Sequence, residues 1–216
     1  MKFFVLATDT DAGKTVFSYF FIKKFFPSHG YRYWKFLQTG TSESDDTSFL
    51  KSRLGEEVIE SEPIFQWKIS SAPHFASKKE NHNADPELIL KRLQESPSRN
   101  LLIEGVGGVM VPVNEDKLLI DLVASVRFPV LLIVKTSLGT INHSLLSLDI
   151  LNKYGIKVIG FYGMGKIGEL ELDNMHTIEK FSGIKNLGYC DYQSILNHES
   201  KFESGFDHLG LLETII

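Results

Sequence analysis

Lys2-Phe3-Phe4-Val5-Leu6-Ala7-Thr8-Asp9-Thr10-Asp11-Ala12-Gly13-Lys14-Thr15 opens the chain with an unbroken apolar run, a short polar loop and the start of a helical segment that reads on to Phe26. A continuous apolar run, unlike an alternating one, marks a strand covered on both faces. Strand, tight loop and helix in that order aim several backbone N–H groups and a helix N-terminus at one point, where an anion is stabilised. Lys14 can then reach the β and γ phosphates of a nucleotide, and the Thr15 hydroxyl can ligate Mg²⁺. Thr8 stands where the full G-x4-G-K-[ST] pattern has its first glycine, so only Gly13-Lys14-Thr15 match. The competing reading is that Gly13 merely opens a helix.

Outward from this stretch the same alternation recurs. Apolar runs predict strands at Lys2 to Ala7, Tyr31 to Leu37, Asn100 to Ile103, Val130 to Val134 and Lys157 to Tyr162, with a weaker one at Asn186 to Tyr189. Helices are expected at Gly13 to Phe26, at Asp85 to Glu95 with Asp85 as N-cap and Pro86 in the first turn, and at Ile141 to Tyr154 before Gly155. Strands alternating with helices imply an α/β fold, a three-layer parallel sheet with helices on both faces, and the phosphate-binding reading of Thr8 to Thr15 after its first strand makes the P-loop NTPase type the expected one. Glu56 to Asn83 is the least regular stretch and is expected to form an excursion or lid. No domain boundary is needed, so residues 1–216 are read as a single domain.

Composition narrows the function. Hydrophobic residues at 43% and charged residues at 23% describe an ordinary folded chain, which excludes disorder and coiled coil. Lys and Arg number 23 against 27 Asp and Glu, a net charge of −4 with no basic block, so nucleic acid is not the expected partner. The one cysteine, Cys190, has no internal disulfide partner, which fits a reducing compartment and makes the cytoplasm the expected location. The apolar start is too short for a signal peptide. Val16 to Phe26 is interrupted by Ser18, Lys23 and Lys24, far from the roughly 18 apolar residues of a membrane span, so no membrane is expected.

Two acidic positions are candidates for the metal. Glu104 ends the run Leu101-Leu102-Ile103 and precedes Gly105-Val106-Gly107-Gly108, which places it at the carboxyl end of a parallel strand, where open α/β sheets bind ligands. Mg²⁺ would offset the cost of a carboxylate there; the plainer reading is an acid bonded to the glycine turn. Asp45-Asp46 either serve the metal or cap a helix at Thr47 to Leu54. Lys35, inside the apolar run Tyr33 to Leu37, must face solvent or meet an anion at the strand end, and Thr39-Gly40-Thr41 beside it adds hydroxyls and a flexible turn.

With these residues assembled the chain resembles the dethiobiotin synthetase family. The resemblance rests on Thr8 to Thr15, on Lys35-Phe36-Leu37-Gln38-Thr39-Gly40, on Ser71-Ala72-Pro73-His74, on Glu104 through Pro112, and on Leu138-Gly139-Thr140-Ile141-Asn142-His143, in the family's order and covering Met1 to about Gly160. It implies a homodimeric enzyme that closes the ureido ring of dethiobiotin from 7,8-diaminononanoate (7,8-diaminopelargonate), CO2 and ATP or another NTP, with Mg²⁺. An amine takes up CO2 as a carbamate, the carbamate attacks the γ-phosphate to form a mixed anhydride, and the second amine displaces phosphate. By the same resemblance Asp11, Ala12, Gly13, Lys14, Thr15, Glu104 and Gly107 bind the nucleotide. Thr15, Asp46 and Glu104 hold the metal, while Thr10, Lys14, Lys35 and Thr39 surround the transferring phosphoryl and the carbamate. Asn142 reaches the diamine's carboxylate in the partner's site, and His143 is a helix-start or interface residue. Positioning and neutralisation of spread negative charge suffice for such a phosphoryl transfer.

The departures from the family fall mainly at the base. Ala7 replaces a usual glycine, a mild change that leaves a small residue, and Phe36 stands where a proline is usual. Met164, in Gly163-Met164-Gly165, stands where the family commonly carries an adenine-reading asparagine, and Cys190-Asp191-Tyr192 occupies the region of a proline-containing purine segment. Phosphate and substrate assignments carry over; base recognition does not. Among rivals, a cobyrinate amidotransferase is expected to need a glutaminase domain that 216 residues cannot hold. A partition-type switch ATPase carries an early loop lysine where this chain has Asp9, and a non-catalytic relative is disfavoured by Lys14, Lys35 and Glu104.

Overall fold

The computed structural model describes residues 1–42 and 45–191. In chain order the elements are β1 (Lys2–Ala7), α1 (Lys14–His29), β2 (Arg32–Lys35), β3 (Leu37–Gln38), α2 (Asp46–Leu54), β4 (Phe65–Gln66), α3 (Pro73–Glu80), α4 (Pro86–Glu95), β5 (Leu101–Glu104), α5 (Leu119–Val126), β6 (Val130–Lys135), α6 (Thr140–Lys153), β7 (Val158–Met164), α7 (Glu169–Ser182) and β8 (Asn186–Cys190). Six strands form one parallel sheet in the order β2-β5-β1-β6-β7-β8. Both faces are covered, which is why the strands read as continuous apolar runs. Phe4 and Leu6 of β1 join a core with residues of α4, α5, α6 and α7, while Phe3, Val5 and Ala7 join a second core with α1 and α2. Each fully buried Phe, Leu or Ile contributes roughly 1.5–3 kcal/mol of transfer free energy.

α1 is apolar almost all round because it is sandwiched. Phe17, Phe21 and Phe25 are buried against the sheet, with Phe21 edge-on to Phe3 at 5.2 Å and to Tyr31 at 5.1 Å, while Tyr19 meets Phe49 of α2 at 5.9 Å. This packing fixes the helix N-terminus above the carboxyl end of β1. α1 leaves β1 on one face of the sheet and α5 and α6 leave β5 and β6 on the other, so a crevice opens at the strands' carboxyl ends.

Several expected boundaries are corrected. The predicted single strand Tyr31 to Leu37 is two strands. β2 pairs with β5 only as far as Lys35 opposite Glu104, where β5 ends; beyond Phe36 the chain has no β5 partner left and pairs with β4 in a separate two-stranded parallel ribbon. α1 runs past Phe26 to His29 and tolerates Pro27 in its last turn, closing on Gly30 in the left-handed conformation. α6 begins at Thr140 and ends at Lys153, and β7 continues through Met164. The excursion at 56–83 is present but packed: it holds a 3-10 turn at Glu56–Val58, β4 and α3, and it buries Trp67, whose indole N–H donates to the His82 carbonyl at 2.7 Å. Asp85 caps α4 as expected, accepting from Glu87 N and Leu88 N. Among the described residues no helix is long and apolar enough to cross a membrane.

Candidate active site

β1 delivers the chain into the loop from Thr8 to Gly13, whose turns need left-handed backbone at Asp11 (φ 54°) and Gly13 (φ 92°) before α1 begins. Aspartate and glycine are among the residues that adopt this conformation at least cost. β5 ends beside the loop, and the glycine turn after it brings the Gly107 carbonyl to Lys14, whose Nζ donates to it at 2.8 Å and to the Asp9 carbonyl at 3.4 Å. No hydrogen bond or ion pair joins Lys14 to a carboxylate among the described residues. Burial first, and then the positive charge of Lys35, lower its pKa to about 8 despite Glu104, Asp46 and Asp11. An ammonium held only by carbonyls in a polar pocket is poised for an incoming anion.

Lys35 is the opposite case. It is 4% exposed, and its Nζ lies 2.7 Å from Asp46 Oδ2, 2.9 Å from Glu104 Oε1 and 2.9 Å from the Gly105 carbonyl. Burial works against its charge, but Glu104 and Asp46 outweigh burial and hold the ammonium above its ordinary value. Burial likewise opposes the Asp46 carboxylate, and Lys35 overrides it to keep that group below the usual range. Of the two readings of Lys35, the anion at the strand end is the observed one. The pair Asp45-Asp46 divides its roles: Asp45 Oδ1 accepts from Thr47 N and Ser48 N as the cap of α2, while Asp46 turns to the site. Glu104 bonds α1 and Lys35 rather than through its carboxylate to the glycine turn.

Thr15 Oγ1 lies 2.9 Å from Asp46 Oδ1 and 2.9 Å from Glu104 Oε1. One hydroxyl proton cannot serve both carboxylates, so three hard oxygens converge with lone pairs to spare, a donor set that suits Mg²⁺, a cation usually held by one or two carboxylates and several waters. The Thr15, Asp46 and Glu104 expected from the sequence therefore fit that ion chemically.

A cavity of about 340 Å³ opens on these groups. Thr10, Asp11, Gly13, Lys14, Thr15, Lys35, Thr39, Asp46, Glu104 and Gly107 all line it. Ala12 is buried behind the loop, and Asn142 lies outside the cavity, exposed on the first turn of α6. Gln38, Ser70 and Val106 also line the cavity; Gln38 and Val106 stand in the motifs that carry the resemblance without a role assigned to them, and no signal in the sequence marks Ser70. Ser18 is a further site residue that sequence reasoning missed: its Oγ donates to Glu104 Oε2 at 2.7 Å with both residues fully buried. Its signal was a lone hydroxyl one helical turn beyond Thr15 in an otherwise greasy stretch. Met164 is 1% exposed and presents no edge to a base. Of the region expected to lack a purine segment, Cys190 closes β8, and Tyr192 lies outside the described residues.

A family model described as an AAA domain matches residues 1–200. The ATP-dependent dethiobiotin synthetase BioD of Bradyrhizobium sp. is 37% identical over 186 residues, 85% of this chain and 84% of that protein. Its namesake in Leptospira interrogans is 31% identical over 188 residues, covering 87% and 85%, and that of Agrobacterium fabrum 30% over 214 residues, covering 99% and 96%. The chain belongs to the dethiobiotin synthetase family.

Solved structures locate the dethiobiotin synthetase chain among P-loop folds. A plasmid partition protein of Borrelia burgdorferi bound to AMPPNP superposes with a TM-score of 0.58 at 12% identity, covering 100% of this chain and 99% of that one. The ATP complex of a Cyanothece McdA variant gives 0.55 at 14% identity, covering 97% and 96%. At such identities the likeness shows the shared fold alone, and the P-loop type of α/β sheet expected from the sequence is the observed one.

Proposed function

We propose that this chain is an ATP-dependent cyclo-ligase that makes dethiobiotin from 7,8-diaminononanoate and CO2. Membership of the family supports the activity. The observation that carries it at the level of chemistry is the pair of lysines in one pocket: Lys35 neutralised by Asp46 and Glu104, and Lys14 held, among the described residues, by carbonyls alone. Lys14 and the loop N–H groups receive the γ-phosphoryl, and Lys14 exchanges its carbonyl partners for phosphate oxygens. Lys35, which exchanges its Gly105 carbonyl partner for a carbamate oxygen, holds the carbamate against it together with Thr39 and Thr10, so that a carbamate oxygen attacks phosphorus and the nucleoside diphosphate leaves. The second amine then attacks the carbonyl carbon of the anhydride, the ring closes, and phosphate departs with the bridging oxygen. Thr15, Asp46 and Glu104 are the residues that would hold Mg²⁺, which supplies charge neutralisation on the β and γ phosphates. Precise placement and fixed charge are the main catalytic effects here.

Asn142 serves the neighbouring subunit in a homodimer. Its exposure outside its own pocket, beside exposed Leu138 (89%) and Leu146 (62%), supports that placement. The single buried thiol, Cys190, supports a reducing, cytoplasmic setting. Incubation with the diamine, bicarbonate, Mg²⁺ and each nucleoside triphosphate is expected to give dethiobiotin by mass; triphosphate hydrolysis without that product would contradict the proposal.

A further inference from the structure

Gly163-Met164-Gly165, at the end of β7, lines no part of the phosphate cavity, yet its backbone is gripped from both sides. Met164 pairs with Lys135 of β6 and Cys190 of β8, its carbonyl accepts from Thr136 N at 3.3 Å, and the Gly165 N–H donates to the Cys190 carbonyl at 3.0 Å. Thr136 Oγ1 donates to the Lys166 carbonyl at 2.7 Å, closing the brace. The flanking glycines follow from this closeness: a Cβ at Gly165 (φ +142°) would stand 2.6 Å from Thr136 Oγ1, and one at Gly163 2.9 Å from Met175 Sδ.

Held this way, the Met164 side chain fills the space against Gly13. A Cβ at Gly13 would stand 3.0 Å from Met164 Cβ and 3.2 Å from both its Cγ and Cε. Gly13 is the left-handed residue that caps α1 and precedes Lys14, so whatever supports Gly13 supports the loop's N–H groups and the lysine together. Buried at 1% exposure in the α1-side core, the thioether is out of reach of a base.

We propose that Met164 is a positioning residue for the triphosphate: it sets the phosphate loop by packing against Gly13 and takes no part in reading the base. The proposal rests on the nucleotide reading above. Its consequence is that changing Met164 alters binding of every nucleotide in parallel, including a ligand with no base at all.

Wild type and the variants Met164→Asn, Met164→Ala and Met164→Leu are titrated by calorimetry with the Mg²⁺ complexes of ATP, GTP, CTP and inorganic tripolyphosphate, well below each variant's measured Tm. The asparagine and alanine variants are expected to weaken all four ligands by a common factor of about 5 to 10, the order of one lost supporting contact, and leucine, which conserves volume, to stay within about twofold of wild type. If the asparagine variant does not fold, alanine and leucine carry the same comparison. A more than tenfold change for ATP relative to tripolyphosphate in Met164→Asn would show that the position addresses the base, and unchanged affinities in a folded Met164→Ala would show that the loop does not depend on it. Wild type that binds none of the four would instead overturn the nucleotide reading on which the proposal stands.

Discussion

Replacing Lys14 by methionine should make the ligand-free protein more stable while abolishing its turnover. The buried ammonium gives up its proton at about 8 instead of 10.5, so at neutral pH the folded state carries a charged-state cost of roughly 3 kcal/mol. Methionine removes that cost and nearly matches the side chain's length. It also gives up the bonds to the Gly107 and Asp9 carbonyls, about 1 kcal/mol for the shorter and less for the 3.4 Å contact. The net gain is about 1–2 kcal/mol at pH 6.5, or about 2–8 °C in Tm for a chain of this size. The direction with pH follows from proton counting. Between about 8 and 10.5 the unfolded chain keeps the lysine proton that the folded chain has lost, so wild-type stability from this group rises with pH across that window and the cost is complete below it. Urea unfolding of both proteins at pH 6.5 and 9.5 checks this: the advantage of Lys14→Met should shrink at the higher pH. A variant less stable than wild type at pH 6.5, or a difference that ignores pH, would refute the reasoning. Turnover should fall by orders of magnitude, mainly in kcat.

Lys35→Ala should also lose turnover, but with the opposite effect on the fold. It leaves Asp46 and Glu104 without their buried cation, an arrangement that costs about 3–5 kcal/mol, so its urea midpoint should drop well below that of Lys14→Met; equal midpoints would contradict the pairing. Mixed Asn142→Ala and Lys14→Ala homodimers, once subunits exchange, should regain activity because one heterodimer site is intact, and no recovery after demonstrated exchange would return Asn142 to its own subunit. With Met164 buried and no asparagine in its place, kcat/KM for ATP, GTP and CTP should agree within ~10-fold; an ATP preference above about a hundredfold would show that other groups read adenine.

The local parts of the site were legible because each makes a local signal. An apolar strand feeding Gly13-Lys14-Thr15, an acid closing the run Leu101 to Ile103, and a lysine too costly to bury alone all announce themselves in the sequence, and the fold brings them to one cavity. What escaped were relations between distant elements. Whether Asp45 or Asp46 caps α2 depends on where Lys35 stands, and the end of β2 depends on the length of β5, a strand that starts far along the chain at Leu101. Ser18 reads from the sequence only as a break in a greasy stretch, because the group it meets, Glu104, lies 86 positions further along the chain. Met164 could be read as an absent asparagine, but not as the support of Gly13, because that contact joins β7 to the first loop of the chain.

The central claim is that Lys14 and Lys35 bring a carbamate oxygen onto the γ-phosphorus. Turnover of the diamine with ¹⁸O-labelled bicarbonate, stopped before the label exchanges with water, tests it in one experiment. If the carbamate is the nucleophile, the released phosphate carries one ¹⁸O from the bicarbonate for each dethiobiotin formed, since the bridging oxygen stays with phosphorus when the second amine closes the ring. Unlabelled phosphate accompanying labelled dethiobiotin would mean that water, not the carbamate, takes the phosphoryl group, and would contradict it.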